Sequence, residues 1–321
     1  MADHEASDLL QAARAGDRGA LARLLSLVER GGDAARSVGR VTYPLGGAAY
    51  TVGLTGAPGS GKSTLTGCLI GALRAGGEEV AVLAVDPSSP FSGGAILGDR
   101  VRMDAHTLDD GVFIRSMATR GQLGGLALAA PEAIRALDAA GFPWVLVETV
   151  GVGQVEVEVA ATADTTIVVV NPGWGDAVQA AKAGLLEIAD VFVINKADRP
   201  GADQAQRDLE HVLTLASGPT DRWTPPIVAT VATEGRGVDE VLHAVRAHRA
   251  WLAEEGRFDA KRAVRVDEEL EAILVAQLRA RIRAGASADE RLHLRDEVIA
   301  RRLDPWSAAD VLLASLDRDD R

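Results

Sequence analysis

The chain has 321 residues, enough for one large domain with extensions or for two modest domains. Its net charge of −12, from 34 basic and 46 acidic side chains, argues against a broad surface for nucleic acid or for an anionic membrane. The single cysteine, Cys68, excludes an intrachain disulfide, and we find neither a signal segment nor a long uncharged apolar run. The composition therefore predicts a soluble, cytoplasmic protein.

The first 42 residues predict a pair of short amphipathic helices. Apolar residues recur at helical spacing within residues 9–13 and again within residues 21–28. Asp17 precedes the second run and could cap its N-terminus. Because such a pair is too small to bury a core of its own, we expect this N-terminal extension to pack on the residues that follow.

From residue 43 to residue 250 the sequence alternates between apolar runs typical of strands and stretches typical of helices. The predicted strands are Tyr50–Thr55, Val80–Val85, Val112–Ile114, Trp144–Val147, Thr166–Val170, Val191–Ile194 and Ile227–Thr230. The predicted helices are Leu65–Ala75, Pro131–Ala139, Ala177–Ile188, Gln204–Leu215 and Val238–Ala250. Continuous apolar strands alternating with helices indicate the α/β class, with a mostly parallel sheet covered by helices on both faces.

Beyond residue 251 the chain becomes helical and rich in charge. Leucine and isoleucine side chains form one stripe of a long helix within residues 270–278, and Asp304-Pro305 is typical of a capped helix start. The sequence thus predicts three parts: an N-terminal helical extension (1–42), a core domain (43–250) and a C-terminal helical extension (251–321).

A complete phosphate-binding signature stands between the first predicted strand and the helix after it. It consists of Gly56, Ala57, Pro58, Gly59, Ser60, Gly61, Lys62, Ser63 and Thr64. The glycines let backbone N–H groups surround a phosphate, and the helix N-terminus adds partial positive charge. Lys62 is predicted to reach the β- and γ-phosphates, and the Ser63 hydroxyl is predicted to bind Mg²⁺. A glycine-rich turn without a ligand is the alternative, and the strand–loop–helix context argues against it.

Acidic residues follow other strands of the predicted sheet, where ligands of such sheets gather. Glu148 ends the Trp144–Val147 strand at a place where nucleotide hydrolases hold Mg²⁺ directly or through water. Asp86 and Asp99 could also reach the metal, although either could instead cap a helix. Gly151 would let its backbone N–H approach the γ-phosphate.

A second discriminating motif, Asn195-Lys196-Ala197-Asp198, follows a late strand. The Asp198 carboxylate can accept hydrogen bonds from the ring N–H and the amino group of guanine, a donor pair that adenine does not present. Asn195 could support the loop, the Lys196 stem could lie over the base, and the backbone N–H of Ala232 could contact the guanine oxygen. The motif therefore predicts guanine rather than adenine.

These motifs together resemble the MeaB/ArgK/MMAA family of P-loop GTPases over nearly the whole chain. The resemblance is carried by GAPGSGKST, VDPSSPFSGGAILGDRVRM, FIRSMATRGQLGG, ETVGVGQ and NKAD. It implies a chaperone of an adenosylcobalamin-dependent acyl-CoA mutase, chiefly methylmalonyl-CoA mutase, that protects the mutase and gates its cofactor loading. It also implies bound GTP or GDP and a homodimer built with the helical extensions.

The resemblance further implies roles for residues of this chain. Mg²⁺ would be held at Ser63 with Asp86, Asp99 and Glu148 nearby, and Lys62, Asp99, Glu148 and Gly151 would serve hydrolysis. Mobile segments are implied at Asp99–Met103, at Gly151–Val159 and near Gly173–Lys182. One departure is Thr230-Val231-Ala232, where relatives often carry Ser-Ala.

The residues leave several alternatives open. A metal-delivery GTPase would need clustered soft or imidazole ligands, whereas this chain has one cysteine and six scattered histidines. A transport-system ATPase or kinase would need a preference for ATP, which the Asn195–Asp198 motif argues against. No residue stands in the usual water-orienting position, since Gln154 lies beyond it, so we expect slow turnover that a partner accelerates. The candidates for a stabilising arginine are Arg100, Arg102, Arg115 and Arg120.

Overall fold

The computed structural model describes residues 2–86, 106, 108–118, 125–149, 162–172, 185–216, 222–285 and 287–314. It divides into two compact units, Met1–Arg265 and Val266–Arg321. Residues 251–265 thus group with the first unit, although the sequence analysis assigned them to the C-terminal extension.

The first unit is built on a seven-stranded sheet in which every described strand pairing is parallel. The strands are β1 (Tyr50–Thr55), β2 (Val80–Asp86), β3 (Val112–Ala118), β4 (Trp144–Thr149), β5 (Thr165–Val170), β6 (Val191–Asn195) and β7 (Ile227–Thr230). Their order is β3-β2-β4-β1-β5-β6-β7, so β1 is central and lies between β4 and β5. The predicted α/β class and parallel sheet are confirmed.

Helices cover both faces of this sheet. The described α-helices that lie wholly in the first unit are α1 (Ala2–Arg14), α2 (Arg18–Arg30), α3 (Gly32–Thr42), α4 (Lys62–Ala75), α5 (Gly125–Ala140), α6 (Leu185–Ile188), α7 (Ala202–Ala216) and α8 (Val238–Ala253). Alternate residues of β2 point to opposite faces: Val80 and Val82 pack with α4 and α8, whereas Ala81, Leu83 and Val85 pack with α5 and the N-terminal helices. The apolar cores on the two faces of the sheet therefore share the same strands, with alternate side chains going to each core.

The N-terminal extension contains three helices rather than the predicted two. Asp17 caps α2 as predicted, because its Oδ1 accepts a hydrogen bond of 2.9 Å from the backbone N–H of Ala20. Gly31 and Gly32, with φ of 72° and 60°, end α2 and begin α3. The extension packs on α5 and β3 through one shared apolar cluster, as expected of a unit without its own core.

Two further boundaries differ from the prediction more than the others do. Helix α5 begins at Gly125 and continues through Pro131, where the sequence suggested a start. Strand β3 extends to Ala118, beyond the predicted end at Ile114. Of the predicted helix at residues 177–188, only α6 lies within the described residues.

A long helix, α9 (Arg257–Gly285), begins in the first unit and continues into the second, which also contains α10 (Ala288–Ile299) and α11 (Pro305–Ala314). Asp304 caps α11 as predicted, since its Oδ1 accepts from the backbone N–H of Trp306 at 2.9 Å. Among the described helices, none is both long enough and apolar enough to cross a membrane.

Candidate functional site

The glycine loop lies at the carboxyl end of the central strand β1 and runs directly into α4. Gly56, Gly59 and Gly61 have backbone φ angles of 136°, 75° and 97°, which residues other than glycine rarely adopt. A Cβ at Gly56 would overlap the carbonyl oxygen of Val169 on β5, and a Cβ at Gly61 would overlap the Asn195 amide. Glycine is therefore required both by the turn and by its close neighbours.

Lys62, the first residue of α4, places a positive charge inside this loop. Its Nζ donates hydrogen bonds to the carbonyl oxygens of Gly56 at 2.5 Å and of Ala57 at 3.1 Å. The residue is only 5% exposed. A compact cation is thus held beside the first turn of a helix whose N-terminus also favours anions.

The next residue, Ser63, faces the acidic residue at the end of β4. Ser63 Oγ donates to Glu148 Oε1 at 2.5 Å, and both residues are buried. The register of β1 and β4 sets this contact, because Leu54 pairs with Glu148 two residues before Gly56. A hydroxyl and a carboxylate so placed are the oxygen ligands that Mg²⁺ prefers, so this donor set fits a magnesium ion.

Asn195 connects the glycine loop to the predicted base-binding segments. Its Nδ2 donates to the carbonyl oxygen of Ser60 at 2.8 Å. Its Oδ1 accepts from Thr230 Oγ1 at 3.1 Å and from the backbone N–H of Ala232 at 3.2 Å. One buried amide at the end of β6 therefore binds two segments that are distant from it in sequence, the glycine loop and residues 230–232.

Lys196 and Asp198 lie on the turn that follows. Lys196 has a φ of 59°, unusual for a residue other than glycine, and its Nζ donates to the carbonyl oxygen of Gly59 at 2.6 Å. The turn is fixed to β7 because the backbone N–H of Ala197 donates to the carbonyl oxygen of Thr230 at 3.0 Å. Asp198 is exposed at this edge of the sheet.

Cys68, on α4, is a further contact of this site. Its thiol donates to the carbonyl oxygen of Ala232 at 3.1 Å, while the N–H of Ala232 binds Asn195. Burial raises the pKa of the Cys68 thiol. The position of Cys68 on the helix after the phosphate loop is the only sequence signal of this contact.

Several predicted site residues fall outside the described part of the chain. They are Asp99, Gly151, Gln154, the arginines 100, 102 and 120, and the segments 99–103, 151–159 and 173–182. For Asp86, only the backbone at the end of β2 is described. Arg115 has a structural partner, since its Nη2 donates to Glu29 Oε2 at 2.6 Å. Within the described ranges, no three His, Cys, Asp or Glu side chains are grouped to hold a metal ion.

Comparisons with known proteins agree on one family. The model of the family "Methylmalonyl Co-A mutase-associated GTPase MeaB" matches residues 21–287. A predicted GTPase of Pyrococcus abyssi is 49% identical over 311 residues, covering 96% of this chain and 96% of that protein. GTPase ArgK of Escherichia coli is 39% identical over 256 residues, covering 78% and 77%. The crystal structure of a LAO/AO transport system kinase is similar, with a TM-score of 0.71, 29% identity and 96% of each chain covered.

Proposed function

Because this chain belongs to the MeaB family of methylmalonyl-CoA mutase-associated GTPases, we propose that its GTP hydrolysis serves an adenosylcobalamin-dependent acyl-CoA mutase. In this proposal the protein protects the mutase and gates the loading of its cofactor. The chain is a P-loop GTPase by family and by fold. The observation that best supports guanine nucleotide use is the position of the Asn195–Asp198 motif, because the Asn195 side chain donates to the Ser60 carbonyl oxygen of the phosphate loop.

The phosphates are proposed to bind in the glycine loop, with Lys62 as their main side-chain contact. Its Nζ is already at the loop, on the carbonyl oxygens of Gly56 and Ala57. From there it can turn toward an oxygen between the β- and γ-phosphates, where negative charge increases during transfer. Water would attack in line, and positioning with charge neutralisation supplies most of the rate.

Ser63 and Glu148 are proposed to hold Mg²⁺, with Asp86 and Asp99 as the further acidic residues that the sequence predicts. When bound, the ion would neutralise charge on the phosphate oxygens. Ser63 Oγ spends its hydrogen on Glu148 Oε1 at 2.5 Å, so the lone pairs of the hydroxyl oxygen stay available to an ion. Glu148 then stays within reach, directly or through a water molecule.

Guanine is proposed to lie between Asp198 and the Lys196 side chain. Asp198 is exposed at the turn, and a purine would bring two donors to its carboxylate only if it were guanine. Lys196 is restrained by its bond to Gly59, so its stem is held beside the phosphate loop. The N–H of Ala232 binds Asn195, and its proposed contact with the guanine oxygen would share that donor.

The client and the dimer are proposed from the family. The family's description names methylmalonyl-CoA mutase, and this supports a mutase client here. In the second unit, Leu270, Leu274 and Leu278 of α9 are 53%, 59% and 45% exposed, a stripe of the kind that a second copy would cover. This stripe supports the proposed homodimer.

The experiment compares GTP and ATP hydrolysis by the purified full chain, with and without Mg²⁺ and with and without methylmalonyl-CoA mutase. We expect GTP to be preferred, Mg²⁺ to be required, and the mutase to raise the rate. Release of cobalamin from the mutase, followed in parallel, should depend on the nucleotide. A preference for ATP would favour the transport kinase alternative, and mutase behaviour independent of nucleotide would refute the chaperone role.

Base recognition has its own test. Asp198→Asn should reduce the preference for GTP over ATP. The substitution replaces one of the two carboxylate oxygens that would accept hydrogen bonds from guanine with an NH₂ group, which can only donate. Asp203→Asn is the matched control, since Asp203 is also exposed, on α7 near the same turn. An Asp198→Asn protein with unchanged preference would contradict the assignment.

A further inference from the structure

Cationic side chains at the beginning of α9 contact the sheet at the amino ends of its strands, whereas the phosphate loop lies at their carboxyl ends. We call residues 257–265 the basic strap. They lie at the amino ends of β1 and β5, and Phe258 packs with the core between the sheet and α8. The Phe258 ring stacks on Tyr50 with centroids 6.2 Å apart, and the Arg262 guanidinium lies 3.9 Å from the Phe258 centroid.

Asp164 is the centre of these contacts. It precedes β5, is 1% exposed, and pairs with both Arg262 and Arg265 of the strap. Its Oδ2 accepts from the backbone N–H of Thr51 at 2.9 Å and from Arg262 Nη2 at 3.2 Å. Burial alone would raise the pKa of Asp164, but the two arginines and the Thr51 N–H outweigh it and lower that pKa below its ordinary value.

The strap also binds backbone carbonyl groups of the segments that lead into these strands. Arg262 donates to the carbonyl oxygens of Gly47 at 2.8 Å and of Ala49 at 3.0 Å, before β1. Arg265 donates to that of Thr162 at 2.6 Å, before β5. These bonds explain why arginine is suited to both positions, since one planar group reaches a carboxylate and a carbonyl together.

A second acidic residue binds the strap from the start of β6. Lys261 Nζ donates to Asp190 Oδ2 at 2.9 Å and to the carbonyl oxygen of Asp164 at 2.8 Å. Asp190 Oδ1 also lies 3.3 Å from His248 Nε2 on α8. Trp223 donates its Nε1–H to the Asp190 carbonyl oxygen at 2.7 Å, and its ring centroid is 4.9 Å from that of His248.

We propose that Asp164 fastens the basic strap to the amino edge of the sheet, and that this is how the C-terminal helical extension is tethered to the GTPase domain. The chain continues from Arg265 directly into the second unit, so the last residue held by Asp164 is also the last residue of the first unit. Removing the carboxylate charge leaves two guanidinium groups at a partly buried place without their counter-ion, which favours release of the strap. Thr55 and the glycine loop lie at the other end of β1, so nucleotide binding persists when the strap is released.

The test is hydrogen exchange of the full chain, read peptide by peptide, for the wild type and for Asp164→Asn. We expect amides of residues 257–265 to exchange about 10- to 100-fold faster in the variant, since only local opening becomes easier. Exchange in residues 62–75 should not change, and GDP affinity should stay within about twofold, as expected for distant sites. Asp3→Asn is the matched control, because Asp3 pairs with Arg40 at an exposed place.

Two results would overturn the proposal: unchanged exchange in the strap, or a uniform rise across all strands, which would make Asp164 part of the general core. If Asp164→Asn does not fold, Arg265→Gln gives the answer instead. It removes one cation while Asp164 keeps Arg262 and the Thr51 N–H. Faster exchange confined to the strap in that variant supports the proposal, and its absence refutes it. The hydrogen-exchange readout requires no bound nucleotide, so failure here is distinct from failure of the proposed function.

Discussion

Replacing Asn195 with alanine tests whether one amide holds the phosphate loop and the base-binding segments together. The change removes the donor to Ser60 and the acceptor for Thr230 and Ala232. All of these groups are buried, so their hydrogen bonds are not readily replaced by water. Both stability and nucleotide affinity should fall.

The expected size follows from the three lost hydrogen bonds. At about 1 kcal/mol each, their loss lowers the free energy of unfolding by about 3 kcal/mol. For a unit of this length, 1 kcal/mol shifts the melting temperature by about 2–4 °C, so the decrease should be roughly 6–12 °C. If the loops are also displaced, GDP should bind about 10- to 100-fold more weakly.

The measurements are thermal unfolding without nucleotide and titration calorimetry with GDP. Thr230→Val is the matched control, because it removes one of the three bonds and should cost only about 1 kcal/mol. Asn195→Asp separates the two sides of the amide: it keeps the acceptor for Thr230 and Ala232 but turns an oxygen toward the Ser60 carbonyl. It should therefore damage GDP binding at least as much as alanine does. An alanine variant that melts within about 2 °C of the wild type and binds GDP normally would refute this reasoning.

Three other changes probe separate parts of the protein. Gly56→Ala should lower the free energy of unfolding by about 2–4 kcal/mol in urea titrations, because φ is positive and the Cβ overlaps the Val169 carbonyl; Gly59→Ala, with open space around it, should cost less. Ser63→Ala should leave metal-free GDP binding nearly unchanged but abolish the strengthening of GTP binding by Mg²⁺, and a retained Mg²⁺ effect in calorimetry would contradict our assignment. Burial lowers the pKa of His248 from 6.5 to about 4 although Asp190 opposes it, so the unfolded chain binds more protons between these values. Stability should therefore fall as pH falls from 6.5 to 4, by about 3 kcal/mol, and His248→Gln should flatten this dependence in urea titrations at several pH values.

Strands β1, β4, β5 and β6 were predictable because each is a largely apolar run that is buried along its whole length. Helix α3 was not, since Ala35 and Val38 are its only buried apolar residues and polar side chains surround them. The start of α5 was missed because Pro131 looked like a helix beginning, whereas the apolar residues before it continue the same helix.

At the site, too, the sequence predicted what consecutive residues form, but it did not predict contacts between residues far apart in the chain. Motif spacing located the phosphate loop and the turn at Asn195, since their chemistry lies within a few consecutive residues. The three partners of Asn195 depend on β6 lying beside β7 and near β1, which only the strand order reveals. Likewise Lys261, Arg262 and Arg265 read as an ordinary charged helix surface until the fold places Asp164 beside them.

The indole of Trp223 lies beside a contact of the basic strap, so its intrinsic fluorescence can report on that contact. Its ring lies against His248, and its N–H is bonded to the residue that binds Lys261. An event that frees Lys261 alters the polarity around this indole, and its fluorescence should change accordingly. Detachment of the basic strap can thus be followed by tryptophan fluorescence in the unlabelled protein, in real time and at low concentration.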